Sequence, residues 1–248
     1  MTKRARKQNN FVKQKDKKRS FDNSVVELKN YQNRTKKITI LPRNVHQEDY
    51  IDLLTDSHKS IVFATGPAGT GKTMLAVQMG IKMFDEGIVK KIVITRPAVS
   101  VDEQHGFLPG TLEQKMAPWT RPVFDLLEEH YGVKRVEQMI EHKELEIAPL
   151  AYMRGRTFKE CWMIADEMQN ATPEQMKMFL TRIGTGSKIV VTGDLAQHDR
   201  GFDGNGLKDF TIRISNKNSR SIGCVHFDRK DVERHHAVIE VLNLYDDE

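Results

Sequence analysis

Residues 59–84 read KSIVFATGPAGTGKTMLAVQMGIKMF, and the order of textures inside that stretch decides the fold. Lys59–Thr65 is a short β-rich run, Met74–Phe84 carries helical spacing, and a glycine-rich octet joins them. The octet, Gly66-Pro67-Ala68-Gly69-Thr70-Gly71-Lys72-Thr73, matches G-x-x-x-x-G-K-[ST] in full and stands between strand and helix as that pattern requires. Glycines there let successive N–H groups turn inward around phosphate oxygens, and the helix N-terminus adds its partial positive charge. Lys72 is then the residue that reaches the β- and γ-phosphates, and Thr73 the hydroxyl offered to Mg²⁺. Holding phosphates is all the octet says by itself.

Working outward, the alternation continues. Lys91–Thr95 (KIVIT), Glu144–Pro149, Trp162–Asp166 (WMIAD), Lys188–Thr192 (KIVVT) and Val225–Phe227 read as further strands. Helices are expected over Val123–His130 and Pro173–Arg182, the second opening with Thr172 as N-cap, Pro173 at N1 and Gln175 at N3. Val232, Ala237, Val238, Val241 and Leu242 suggest a closing helix, and 216–221 an exposed turn or hairpin tip. A long connection runs from Arg96 to Pro118, punctuated by Pro97 and Pro109. Strands that are nearly continuous in apolar residues and alternate with helices imply an α/β fold, a mostly parallel sheet with helices on both faces.

A phosphate cradle needs a carboxylate on the metal side, at the end of another buried strand. Trp162-Met163-Ile164-Ala165-Asp166-Glu167 supplies two acids there. Asp166 would orient Mg²⁺ through its water shell and Glu167 would polarise the attacking water, which favours hydrolysis over simple binding; an ordinary solvated strand end is the plain alternative. The next strand ends in Thr192-Gly193-Asp194-Leu195-Ala196-Gln197, whose polar groups are candidates for touching the γ-phosphate, with Gln197 reporting its loss. Gln47, nineteen residues before the octet, offers an amide able to read an adenine edge, although a surface glutamine on an amphipathic helix is the commoner case. The expected ligands are therefore ATP and Mg²⁺.

Composition bounds the rest. The 248 residues are 38% apolar and 29% charged, enough for one core with extras. Residues 1–40 hold thirteen Lys/Arg against three Asp/Glu, while the rest hold 26 against 31, so the net +5 belongs to a basic arm (+10) on a mildly acidic body (−5). The arm reads as solvated, flexible chain, able to add weak attraction to nucleic-acid phosphates. No apolar run approaches the roughly 18 residues of a membrane span, and no apolar segment follows the basic start, so the expectation is a cytoplasmic protein with no membrane partner. Cys161 and Cys224, far apart in sequence, fit a reducing compartment and read as buried. His198, His235 and His236 have no cysteine at ligand spacing, which leaves no metal expected beyond Mg²⁺.

Taken together, Gln47, the octet, Thr95-Arg96-Pro97-Ala98, Gly106-Phe107-Leu108-Pro109-Gly110, Met153-Arg154-Gly155-Arg156-Thr157, Asp166-Glu167-Met168-Gln169-Asn170, Gln175 through Arg182 and Gly193 through Gln197 resemble the PhoH-like ATPase family over about residues 41–245. The resemblance implies a RecA-like P-loop NTPase domain over 41–248, akin to the first motor domain of superfamily 1 helicases, preceded by the arm 1–40. It also implies ATP hydrolysis, a link to RNA or single-stranded nucleic acid, helicase-like unwinding as a candidate activity, and homo-oligomeric rings, a hexamer among the candidates. The family usually carries Ala where this chain has Met168. By the same resemblance, loops on the carboxyl edge of the sheet face nucleic acid, which makes Arg96, Arg154 and Arg156 candidate phosphate contacts. Phe107 and Trp119 are candidate stacking surfaces, with core packing as their alternative.

A helicase brings arginines from a second motor domain against the γ-phosphate, and the fifty or so residues after Gln197 are too few for one. An arginine supplied in trans by a neighbouring subunit is the economical source. Arg234, in the family's arginine-histidine block, and Arg200 are the candidates, with surface ion pairs as the alternative. Two other classes stay open: an ATP-gated binding module with slow turnover, and a kinase using the same cradle, for which no acceptor pocket is apparent.

Overall fold

The computed structural model describes residues 38–97, 112–197, 204–233, 237, 238 and 240, with side chains in the 112–119 segment excepted. Strand β1 (Ile61–Thr65) leads into helix α2 (Lys72–Asp85), preceded by α1 (Val45–Thr55). Strand β2 (Lys91–Thr95), helices α3 (Leu112–Tyr131) and α4 (Val133–Glu141), and strands β3 (Leu145–Ile147) and β4 (Cys161–Ala165) follow. The remainder is α5 (Pro173–Leu180), β5 (Lys188–Gly193), α6 (Gly206–Ser215) and β6 (Ile222–His226). The six strands form one parallel sheet in the order β3-β2-β4-β5-β1-β6.

Successive side chains on a strand point to opposite faces, and here both faces are covered. Val62, Ala64, Ile92, Ile94, Ile164 and Val190 pack with α1 to α4 in one cluster. Phe63, Val93, Met163, Ala165, Ile189 and Val191 pack with α5 and α6 in the other. The apolar, non-alternating strands of the sequence have this physical origin. The two halves of the future site are bolted together beneath it: Trp162 of β4 donates its indole N–H to the Ala76 carbonyl of α2 at 3.0 Å. Gly80 makes room for that ring, since a Cβ there would lie 2.6 Å from Trp162 Cδ1. Truncating such a buried tryptophan to alanine costs about 3–5 kcal/mol.

Helix ends follow from local chemistry. Asn44 caps α1, its side chain accepting the Gln47 N–H, while Tyr50 and Leu54 bury one face. At the other end Lys188 of β5 donates to the Leu53, Leu54 and Asp56 carbonyls at 3.3, 2.6 and 2.9 Å. Burial brings its pKa down to about 8. Thr172 and Gln175 form the reciprocal capping box expected from the sequence, with Pro173 at the first helical position.

Several expectations are revised. Helix α3 begins at Leu112 and runs through Pro118 and Pro122, where the sequence suggests a connection. Each proline removes a backbone donor, but buried Val123 and Leu127 anchor the later turns in the core, and tertiary burial overrides local propensity. Helices α4 and α6 carry no sequence expectation. The segment 216–221 is an exposed lead into β6, which pairs parallel to β1, so it is no hairpin tip. Cys161 is buried but Cys224 is exposed, because it sits on an outward position of edge strand β6. Residues 237, 238 and 240 are helical. Most of the basic arm, the 106–110 loop with Phe107, the Trp119 side chain, His198, Arg200, Arg234, His235 and His236 lie outside the described residues. Among the described residues no helix is long and apolar enough to cross a membrane.

Candidate nucleotide site

Strand order brings the site together. β5 lies between β1 and β4, with Thr65 opposite Gly193 and Ala165 opposite Val191. The loop after β1, the acids after β4 and the tip of β5 therefore emerge side by side at the carboxyl edge, where open α/β sheets bind ligands. A cleft there is lined by 68–69 and 71–74 of the octet and helix start, with Asp166, Glu167, Gly193, Asp194 and Gln197.

The octet curls as its glycines allow. Gly66 and Gly71 have φ of 137° and 84°, and a Cβ at Gly66 would lie 2.3 Å from the Phe227 carbonyl oxygen. Lys72, only 9% exposed, donates to the Gly66 carbonyl at 2.7 Å, the Pro67 carbonyl at 2.6 Å and Thr70 Oγ1 at 3.2 Å. Burial pulls its pKa down, against the opposing pull of Asp194, Glu167 and Asp166. All three of these hydrogen-bond partners are neutral, so the ammonium charge remains available to an anion.

Asp166 Oδ1 accepts from Thr73 Oγ1 at 2.8 Å and from Thr192 Oγ1 at 2.5 Å. A hydroxyl and a carboxylate so placed form a hard-oxygen set of the kind Mg²⁺ takes in phosphate sites, and the residues present fit that ion. Thr192 is thereby revised: it is fully buried with its hydroxyl committed to Asp166, so it supports the acid and does not reach phosphate. Glu167 sits in the left-handed region at φ 53°, ψ 40°, a conformation that costs a non-glycine residue about 1–2 kcal/mol. Its carboxylate accepts from Gln169 Nε2 at 2.5 Å. Asp194 lines the cleft, its backbone N–H donating to Gln169 Oε1 at 3.1 Å. Gln197 is exposed on the cleft wall.

Gln47 is also revised. Its amide donates to the Thr70 carbonyl at 3.1 Å and accepts the Arg43 N–H at 2.9 Å, and the residue is 1% exposed. It braces the phosphate loop, with both atoms of its amide engaged by the protein rather than presented to an adenine edge. Of the arginines, Arg96 is half-buried at the carboxyl end of β2 and Arg154 is exposed. Arg156 pairs with Glu146 at 2.6 Å and lies over the Phe158 ring at 4.4 Å; it shares that carboxylate with Lys91, the first residue of β2, so it belongs to the opposite end of the sheet with its guanidinium already engaged.

Three supports carry no functional reading from the sequence. Gln169 is legible only as part of the D-E-x-Q block. Phe227 lies against Gly66, and the Glu233 N–H donates to the Gly69 carbonyl at 3.0 Å, contacts across more than 150 residues that no local pattern announces. His46 joins α1 to the same C-terminal segment through Asp231 at 2.6 Å, and that hydrogen bond raises the histidine pKa. Met168 is fully buried in the core beneath the acids, so its departure from alanine is a matter of packing.

The family described as PhoH-like protein matches residues 39–246. The PhoH-like protein of Bacillus subtilis (strain 168) is 43% identical over 210 residues, 84% of this chain and 64% of that one. Protein PhoH of Escherichia coli (strain K12) is 40% identical over 210 residues, 83% and 58% of the two chains. The PhoH-like protein of Synechocystis sp. is 38% identical over 205 residues, 82% and 61%. The chain thus spans less than two thirds of the length of these relatives. Among solved structures, the Sulfolobus solfataricus SWI2/SNF2 ATPase core in complex with dsDNA aligns at TM-score 0.41 and 12% identity, covering 80% of this chain and 48% of that one. The Pif1 helicase from Candida albicans aligns at 0.38 and 17%, covering 83% and 44%. Those two likenesses are distant and add nothing to what the sequence matches carry.

Proposed function

Because the chain belongs to the PhoH-like family, we propose that it binds ATP with Mg²⁺ at the carboxyl edge of the sheet and hydrolyses it in step with RNA or single-stranded nucleic acid, as a ring-forming homo-oligomer. The observation that carries the reading is the meeting of Thr73 and Asp166 at 2.8 Å beside a buried, neutrally partnered Lys72. Held by Thr73 and Asp166, a bound Mg²⁺ would supply charge neutralisation to the phosphates. Lys72 exchanges its carbonyl partners for phosphate oxygens and opposes the charge that develops on them. Thr73 and Asp166 hold the metal side, with Thr192 fixing the acid. Glu167 accepts a proton from the attacking water, and the close approach of Gly66 to Phe227 helps to keep the octet shaped for its ligand. Arg200 or Arg234 of a neighbouring subunit is the proposed source of the remaining positive charge, and Arg96 and Arg154 are the proposed contacts to nucleic-acid phosphates.

Steady-state ATP hydrolysis with and without poly-RNA, for the wild type, Lys72→Ala and Glu167→Gln, tests this. Stimulation by RNA that vanishes in both variants is expected. Turnover indifferent to RNA would remove the nucleic-acid coupling, and binding without turnover would leave an ATP-gated binding module.

A further inference from the structure

We propose that Gln169 is a positioning residue that ties the Glu167 carboxylate to the tip of β5, so that this tip sets the orientation of the group accepting the water proton. The inference rests on the ATPase reading above. Gln169 is 1% exposed and sits on the short turn Met168–Asn170 directly after Glu167. Its Nε2 donates to Glu167 Oε2 at 2.5 Å and its Oε1 accepts the Asp194 N–H at 3.1 Å. Only a side chain with a donor and an acceptor on one head can bridge a carboxylate and a backbone N–H in this way. A glutamate could still accept from Asp194 but would set two carboxylates face to face.

The surroundings fit the bridge closely. A Cβ on Gly193 would lie 2.6 Å from Gln169 Oε1, so the glycine before Asp194 leaves the amide its place. The Asn170 N–H donates to the Glu167 carbonyl at 3.1 Å, and the Ala171 N–H to the Met168 carbonyl at 3.1 Å, which locks the turn that holds Glu167 in its left-handed conformation. Oε2 of Glu167 is thereby anchored to the tip of β5. Because Asp194 and Gln197 line the same cleft, a shift of the β5 tip is carried to Glu167 through one side chain.

The test compares single-turnover hydrolysis at saturating ATP, equilibrium binding of a fluorescent ATP analogue, and thermal unfolding for the wild type and three variants: Gln169→Ala, Gln169→Glu, and Gln169→Glu combined with Glu167→Gln. Gln169→Ala is expected to slow the chemical step by on the order of 10²-fold, with affinity for the analogue nearly unchanged. Gln169→Glu is expected to turn over still more slowly and to unfold at lower temperature. The double variant should regain the unfolding midpoint, because the hydrogen bond re-forms with its partners exchanged, yet show no hydrolysis. If Gln169 only filled space, the near-isosteric glutamate would turn over faster than alanine and the double variant would recover nothing; either result overturns the proposal. A wild type that binds the analogue but never hydrolyses ATP overturns the ATPase reading itself, and the positioning role with it.

Discussion

Two clusters of charged side chains lie at opposite ends of the sheet, and they differ in what their cations touch. At the carboxyl edge Lys72 is held by two backbone carbonyls and a threonine hydroxyl, while the acids nearby bond hydroxyls and an amide. Near the start of β4, Lys91 and Arg156 both pair with Glu146, at 2.9 and 2.6 Å. Like the first cluster, the second is only partly exposed, and its Arg156 sits in a family block. Neutral partners yield to an incoming anion at modest cost, whereas Lys91 and Arg156 would have to release a shared carboxylate to take one. Partner identity, more than burial or motif membership, separates a ligand site from a structural one here.

The sharpest way to break this comparison is to mutate one acid at each end. Glu167→Gln should lower ATP turnover by about 10²–10⁴-fold with ATP binding retained, and Glu146→Gln should leave turnover unchanged; equal losses in the two would erase the distinction. Gly193→Ala comes next, because its Cβ would also lie 2.7 Å from Leu207 Cδ2. Overpacking of that kind costs about 1–3 kcal/mol, to be read as a lowered unfolding midpoint together with slowed hydrolysis. Thr192→Val keeps the shape of a buried side chain and removes one donor to Asp166. The loss of roughly 1 kcal/mol for such a hydrogen bond corresponds to about a fivefold fall in turnover, sharpest at limiting Mg²⁺.

Smallest is the effect expected at the amino-end cluster. Arg156→Ala should leave RNA affinity unchanged at fixed salt and destabilise by no more than about 1 kcal/mol; a clear loss of RNA binding would restore Arg156 to the nucleic-acid face. The same cluster predicts a pH signature. Burial pushes the Glu146 carboxyl up, but hydrogen bonds and charge from Arg156 and Lys91 outweigh it and hold the pKa below its ordinary value. A carboxylate with a depressed folded-state pKa adds stability above its unfolded pKa and loses it as pH falls through the folded one. The difference in unfolding midpoint between wild type and Glu146→Gln should therefore be largest near neutrality and shrink under acid conditions.

Much of this is legible in the sequence alone. The octet, the acid pair and the capping box at Thr172 are local patterns in which spacing alone dictates geometry, and the structure draws Thr73, Asp166, Glu167 and Asp194 to one cleft. Legibility failed where an interaction crosses the chain. By residue type Gln47 and Thr192 suggest ligand contacts, whereas in the structure their amide and hydroxyl groups bond Thr70, Arg43 and Asp166. Helix α3 overrode its prolines for the same reason, through burial against distant strands.

By itself, the sequence determined the strands, the helices flanking the site, the parallel sheet and the phosphate cradle, because apolar periodicity and glycine spacing act over a few residues. Only the tertiary structure decided which polar atoms remained available at the site. Hydrogen-bond capacity is finite, and the partners that fill it, from Thr192 on Asp166 to Gln169 on Glu167, come together through strand order and packing.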